Sequence, residues 1–88
     1  MNRIWKFELK VVDDQIIEMP INSEILTVQI QQEYVQLWAI VNPELSVEQR
    51  HIRIYGTGFP VGNTKLKYIS TFQQYNGRLV FHVFEVIE

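Results

Sequence analysis

Apolar and polar residues alternate along nearly the whole chain, and this alternation most restricts what it can fold into. Trp5, Phe7, Leu9 and Val11 interleave with Ile4, Lys6, Glu8 and Lys10; Leu26, Val28 and Ile30 interleave with Thr27, Gln29 and Gln31. A period of two is the mark of half-buried β-strands. Helical spacing is nowhere sustained for more than about one turn. The pattern predicts seven strands, at 3–11, 15–19, 25–31, 35–42, 51–56, 67–74 and 78–87. The separators carry turn chemistry: Asp13-Asp14, Pro20 with Asn22-Ser23, the glycine-rich segment 56–62 and Asn76-Gly77. The polar segment Pro43–Arg50 has room for one helical turn around Ser46–Gln49. The expected fold is all-β, a small antiparallel β-sandwich or flattened barrel of about seven strands. Short connections favour hairpins between consecutive strands.

Register follows from parity. Pairing Ile30 with Leu37, Val28 with Ala39 and Leu26 with Val41 keeps one face apolar. It requires an even loop, Glu33-Tyr34 or Gln32 to Val35, because a shift of one residue would bury Gln29. Asn76-Gly77 fits a type I′ turn, since both residues tolerate positive φ. Centring the last hairpin there pairs Phe72 with Phe81, Thr71 with His82, Ser70 with Val83 and Ile69 with Phe84. The expected core is Trp5, Phe7, Leu9, Leu26, Val28, Ile30, Leu37, Ala39, Val41, Ile52, Ile54, Phe72, Phe81 and Val83. Strand 78–87 is apolar on both faces, so Val80, His82, Phe84 and Val86 become candidate interface residues. A homodimer with two-fold symmetry is the expected way of covering them.

At 88 residues the chain makes a single β-domain, 1–88. It has no cysteine, which excludes a disulfide-stapled fold. The N-terminal segment lacks the apolar run of a signal peptide, and no stretch reaches membrane-span length; a cytoplasmic location is expected. A net charge of −2 speaks against non-specific nucleic-acid binding.

Candidate sites are few. Gly56, Thr57, Gly58 and Gly62, followed by Lys65 and Lys67, could cradle an anion through backbone N–H groups. The glycine spacing is not that of a dinucleotide fingerprint, and an Ω-type structural loop is the simpler reading. His51 and His82 lack metal-ligand spacing, and His82 is expected to be half-buried against a partner such as Thr71. Asp13 and Asp14 read as turn residues; Ser23 and Ser46 lie in no nucleophile motif. The aromatics fall mostly at alternating strand positions, with only Arg53 beside Tyr55 and Lys67 beside Tyr68 to suggest base stacking. Gln29, Gln31, Gln36 and Gln73 are expected on outer faces. No catalytic residue, metal site or cofactor is expected.

Ile4-Trp5-Lys6-Phe7, Met19-Pro20, Ile25-Leu26-Thr27-Val28-Gln29, Leu37-Trp38-Ala39-Ile40-Val41, Tyr55-Gly56-Thr57-Gly58-Phe59-Pro60 and His82-Val83-Phe84-Glu85 occur in that order. In this the chain resembles a family of small uncharacterised proteins encoded in tailed bacteriophages and prophages. It departs from them at Gln32-Glu33-Tyr34, where they have an Asp-Gly type turn, and at Phe59, where they have histidine. The resemblance implies a phage origin and action in the host cytoplasm, and carries no functional residues over. The expected function is that of a non-enzymatic phage accessory protein binding a host or phage macromolecule, for example a counter-defence or host-takeover inhibitor. The alternatives are a protein that binds or sequesters a nucleotide-like anion and a minor virion structural or assembly component.

Overall fold

The computed structural model describes residues 1–87 as an all-β fold. Seven strands form in chain order: β1 (Arg3–Leu9), β2 (Asp14–Pro20), β3 (Glu24–Gln31), β4 (Tyr34–Val41), β5 (Val47–Gly56), β6 (Leu66–Gln74) and β7 (Leu79–Val86). They make two antiparallel sheets, β1-β4-β3 and β2-β5-β7-β6. There is no helix among the described residues, and so none able to cross a membrane. The layers form a sandwich. Leu37, Ala39 and Val41 of the central strand β4 and Ile52, Ile54 and Val83 of β5 and β7 are buried in a common core. Alternation explains this directly, since every second residue of each strand faces the opposite sheet.

The sheets meet most closely where β3 approaches β6. Ser70 takes a place that a ladder partner would occupy: its Oγ accepts from the Val28 N–H at 2.9 Å and lies 2.7 Å from Thr27 Oγ1. The strands β1 and β2 remain at the free edges of their sheets, so the barrel does not close.

Parity predicted the faces better than the exact pairs. The β3–β4 loop is even, as required, but it is Gln32-Glu33, which places Val28 opposite Leu37 and Ile30 opposite Val35. A bulge at Leu26 then changes the face presented, so that Ile25 packs on the core instead. Leu26 is consequently 39% exposed, and Trp5 and Ile30, on the outer strands of the three-stranded sheet, are each 39% exposed as well. Met19 and Val35 complete the core. The last hairpin pairs Phe72 with Phe81, Thr71 with His82 and Ser70 with Val83 as expected. Its loop spans Tyr75 to Arg78, and a bulge at Ile69 makes Tyr68 the partner of Phe84.

Two other expectations change. The segment around Ser46–Gln49 is not helical: β5 begins at Val47, because Val47 to Gln49 pair with Pro20 to Glu18 of β2 and the Ile21 N–H donates to the Ser46 carbonyl at 2.7 Å. Hairpins join only β3 to β4 and β6 to β7; the remaining links change sheet or, between β5 and β6, pass β7.

Candidate functional site

The four-stranded sheet turns one face to the core and the other outward. Cross-strand pairing sets Arg53 and Tyr68 on either side of Phe84, and Tyr55 and Thr71 on either side of His82. The Tyr55 and Phe84 rings meet edge-on at 5.7 Å, and those of Tyr68 and Phe84 at 5.6 Å. Each such contact contributes about 0.5–1.5 kcal/mol beyond area burial. Val80, His82, Phe84 and Val86 are half-buried, whereas Tyr68 is 57% and Ile16 51% exposed. The result is an outward-facing apolar and aromatic patch that includes all four candidate interface residues.

Polar networks hold the patch in one arrangement. His82 Nε2 lies 2.7 Å from Thr57 Oγ1 and Nδ1 lies 3.0 Å from Thr71 Oγ1, which in turn is 2.7 Å from the Tyr68 hydroxyl. His82 is thus half-buried against Thr71, as its sequence setting predicted. Next to it, Arg53 Nε donates to Asp14 Oδ1 at 2.7 Å, and His51 Nε2 approaches the same oxygen at 2.6 Å. The Arg53 bond holds the Asp14 carboxyl below its ordinary range, with His51 adding to the effect against slight desolvation. Asp14 likewise raises the Arg53 guanidinium. Asp14 is therefore the first residue of β2 and part of an ion cluster on β2 and β5, not the turn residue expected; only Asp13 lies in the bend before β2.

A cleft of about 430 Å³ opens where the β1–β2 loop faces the β5–β6 connection. Val11, Val12, Ile54, Phe59, Pro60 and Phe81 supply its apolar wall, and Asp13, Asp14, Arg53 and Tyr55 its polar one. The Phe59 N–H closes a turn on the Gly56 carbonyl at 3.1 Å, with Gly58 at φ 93°. That conformation at the third turn position needs glycine.

The proposed anion cradle is not assembled. Gly56 opposes Phe81 whereas Lys67 opposes Glu85, so the two differ by four residues along β7, about 13 Å. The Thr57 N–H and hydroxyl are engaged by the Val80 carbonyl and His82. Gly58 and Gly62 face open space, and Lys65 lies by Ile87, whose N–H donates to its carbonyl. Three glutamines fall outward as read, Gln29, Gln31, which accepts from Lys6 Nζ at 2.8 Å, and Gln73, which opposes Val80; Gln36, opposite Gln29, is instead buried.

One cluster escaped the sequence reading. Arg50 donates from Nε and Nη2 to the two Glu85 carboxylate oxygens, and from Nη1 to the Ser23 carbonyl at 2.9 Å. Glu85 raises the Arg50 guanidinium further above its ordinary value. Both side chains lie largely out of solvent on the inward side of β5 and β7, and no buried side-chain nitrogen or oxygen among the described residues lacks a hydrogen-bond partner.

The family described as Domain of unknown function (DUF7352) matches residues 1–88. No curated protein and no solved structure matches the chain.

Proposed function

The chain belongs to the DUF7352 family, and for this member we propose a non-enzymatic binding protein that engages a host or phage macromolecule through the outer face of its four-stranded sheet. The single observation that carries this reading is the Tyr55–Phe84–Tyr68 ring cluster, held outward by the Thr57–His82–Thr71–Tyr68 hydrogen-bond chain. Pre-ordered aromatic side chains give large contact area at low entropic cost, which is what interface centres use. The resemblance to proteins of phages and prophages supports placing that partner in an infected bacterium. Two copies of the chain can also cover Val80, Phe84 and Val86 by stacking these faces about a two-fold axis. In this proposal the homodimer and the partner complex exclude each other.

Tagged wild-type protein and Phe84→Glu, compared on lysates of phage-infected bacteria, test the reading. The wild type retains one stoichiometric macromolecule, and the variant loses it with an unchanged circular dichroism spectrum. Retention by a folded Phe84→Glu variant contradicts the assignment of the face.

A further inference from the structure

We infer that the cleft between the β1–β2 loop and the β5–β6 connection is a binding site for a small organic cation with an apolar or aromatic body, of the arylalkylamine class. The cleft shares Arg53 and Tyr55 with the outer sheet face, but its apolar wall is made by other residues. At about 430 Å³ it lies within the ordinary range of ligand pockets. Its lining has the usual composition of one, a mainly apolar wall with few polar groups at the rim.

The Phe59 ring is placed there by the backbone. A Cβ on Gly56 would stand 2.9 Å from Phe59 Cδ2 and 3.0 Å from Cε2, so the absence of a side chain at 56 is what lets the ring lie against the strand end. Phe59 is nevertheless 70% exposed, and Val11 and Val12 opposite it are exposed too. Three apolar side chains thus face one another across a space the protein does not fill. An apolar body inserted there removes all three from water.

Charge decides the class of ligand. Arg53 and Asp14 neutralise one another through the 2.7 Å bond, which leaves Asp13 as the remaining charge of the lining. Among the described residues no hydrogen bond or ion pair holds the Asp13 carboxylate, while its carbonyl is fixed by the Ile54 N–H at 3.0 Å. The lining therefore offers an unpaired anionic group on a fixed backbone and asks for a cation. An anion would have to compete with Asp14 for Arg53 and approach Asp13 as well.

Three near-isosteric probes test this on the intact chain: phenethylamine, 2-phenylethanol and phenylacetate, each titrated while backbone amide resonances are followed. The expected result is saturable shifts confined to residues 11–14, 53–59 and 81, with the amine binding tightest and the carboxylate weakest. Asp13→Asn should reduce amine affinity about two- to fivefold, to the level of the alcohol. Phe59→Ser should weaken all three probes. Both positions are exposed, and an otherwise superimposable spectrum shows that each variant is folded. The inference fails if no probe shifts those amides, if phenylacetate binds as tightly as the amine, or if Asp13→Asn leaves the preference unchanged. Binding of a lysine-containing peptide without binding of the amine also overturns it, because the cleft would then be a protein docking point. The same titration on Val86→Glu, on the outer face but paired with Leu66 away from the cleft lining, separates the two sites: the cleft should bind with unaltered affinity.

Discussion

Arg50 and Glu85 form a bidentate ion pair on the inward side of the four-stranded sheet, one on β5 and the other on β7. Arg50 also reaches the Ser23 carbonyl of the β2–β3 loop and lies 3.7 Å from Glu48. Two charges at core-facing positions are tolerated because each satisfies the other, with the Ser23 carbonyl, Met19 Sδ and Glu48 around the remaining guanidinium nitrogen.

Removing one partner should therefore cost more than removing both. Glu85→Leu leaves the guanidinium with only the more distant, partly exposed Glu48 as a carboxylate neighbour and should destabilise the protein by about 3 kcal/mol, toward the lower limit for buried pairs. The double variant Arg50→Met with Glu85→Leu should recover most of that loss. Urea unfolding of both variants checks it; a double variant less stable than Glu85→Leu alone would show that the pair's worth is not one of mutual compensation.

The β3–β4 turn is built from ill-suited residues. Gln32 and Glu33 have φ 49° and 74°, a left-handed conformation that is unfavourable for L side chains other than Asn and Asp. Replacing Gln32-Glu33 by Asn-Gly should stabilise the fold by about 1 kcal/mol through relief of this strain. The urea midpoint should rise with an unchanged slope.

Asp14 ionises more readily in the folded protein than in the unfolded chain, chiefly because of its bond to Arg53. Its stabilisation is therefore complete above the ordinary carboxylate value of 3.8 and is lost as pH falls through the lower folded value. The site is half exposed to solvent, so the effect should be only about 0.2–1 kcal/mol. Asp14→Asn should be less stable than wild type at about pH 6 and indistinguishable from it well below the carboxylate range. A difference that persists unchanged into acid would assign the loss to something other than this charge.

Alternation made the architecture legible because the inward set Leu37, Ala39, Val41, Ile52, Ile54 and Val83 obeys it without interruption. It failed at Leu26 and Ile69, where one extra residue moves a strand to its other face. The hydrophobic string is nearly the same with or without such a bulge. Arg50 and Glu85 were in principle readable: Arg50 shares parity with Ile52 and Ile54, and Glu85 with Phe81 and Val83. Opposite charges at inward positions of two strands are a pairing signal, but only once β5 and β7 are known to be neighbours. The cleft was not readable, since it is made by the β1–β2 loop meeting the β5–β6 connection, and nothing local in either segment announces the other. The anion cradle had the reverse fault: residues close in sequence are separated because the connection from β5 passes β7 before β6 begins.

The outer face of the four-stranded sheet is tested most directly by sedimentation of wild-type protein and Phe84→Glu over a range of concentrations. Phe84 is half-buried and ringed by Tyr55 and Tyr68, so a carboxylate there disrupts the patch while the core residues of β7 stay in place. If two copies cover this face, wild-type protein sediments at twice the chain mass and the variant as a folded monomer. A wild type that remains monomeric at the highest concentration would contradict it.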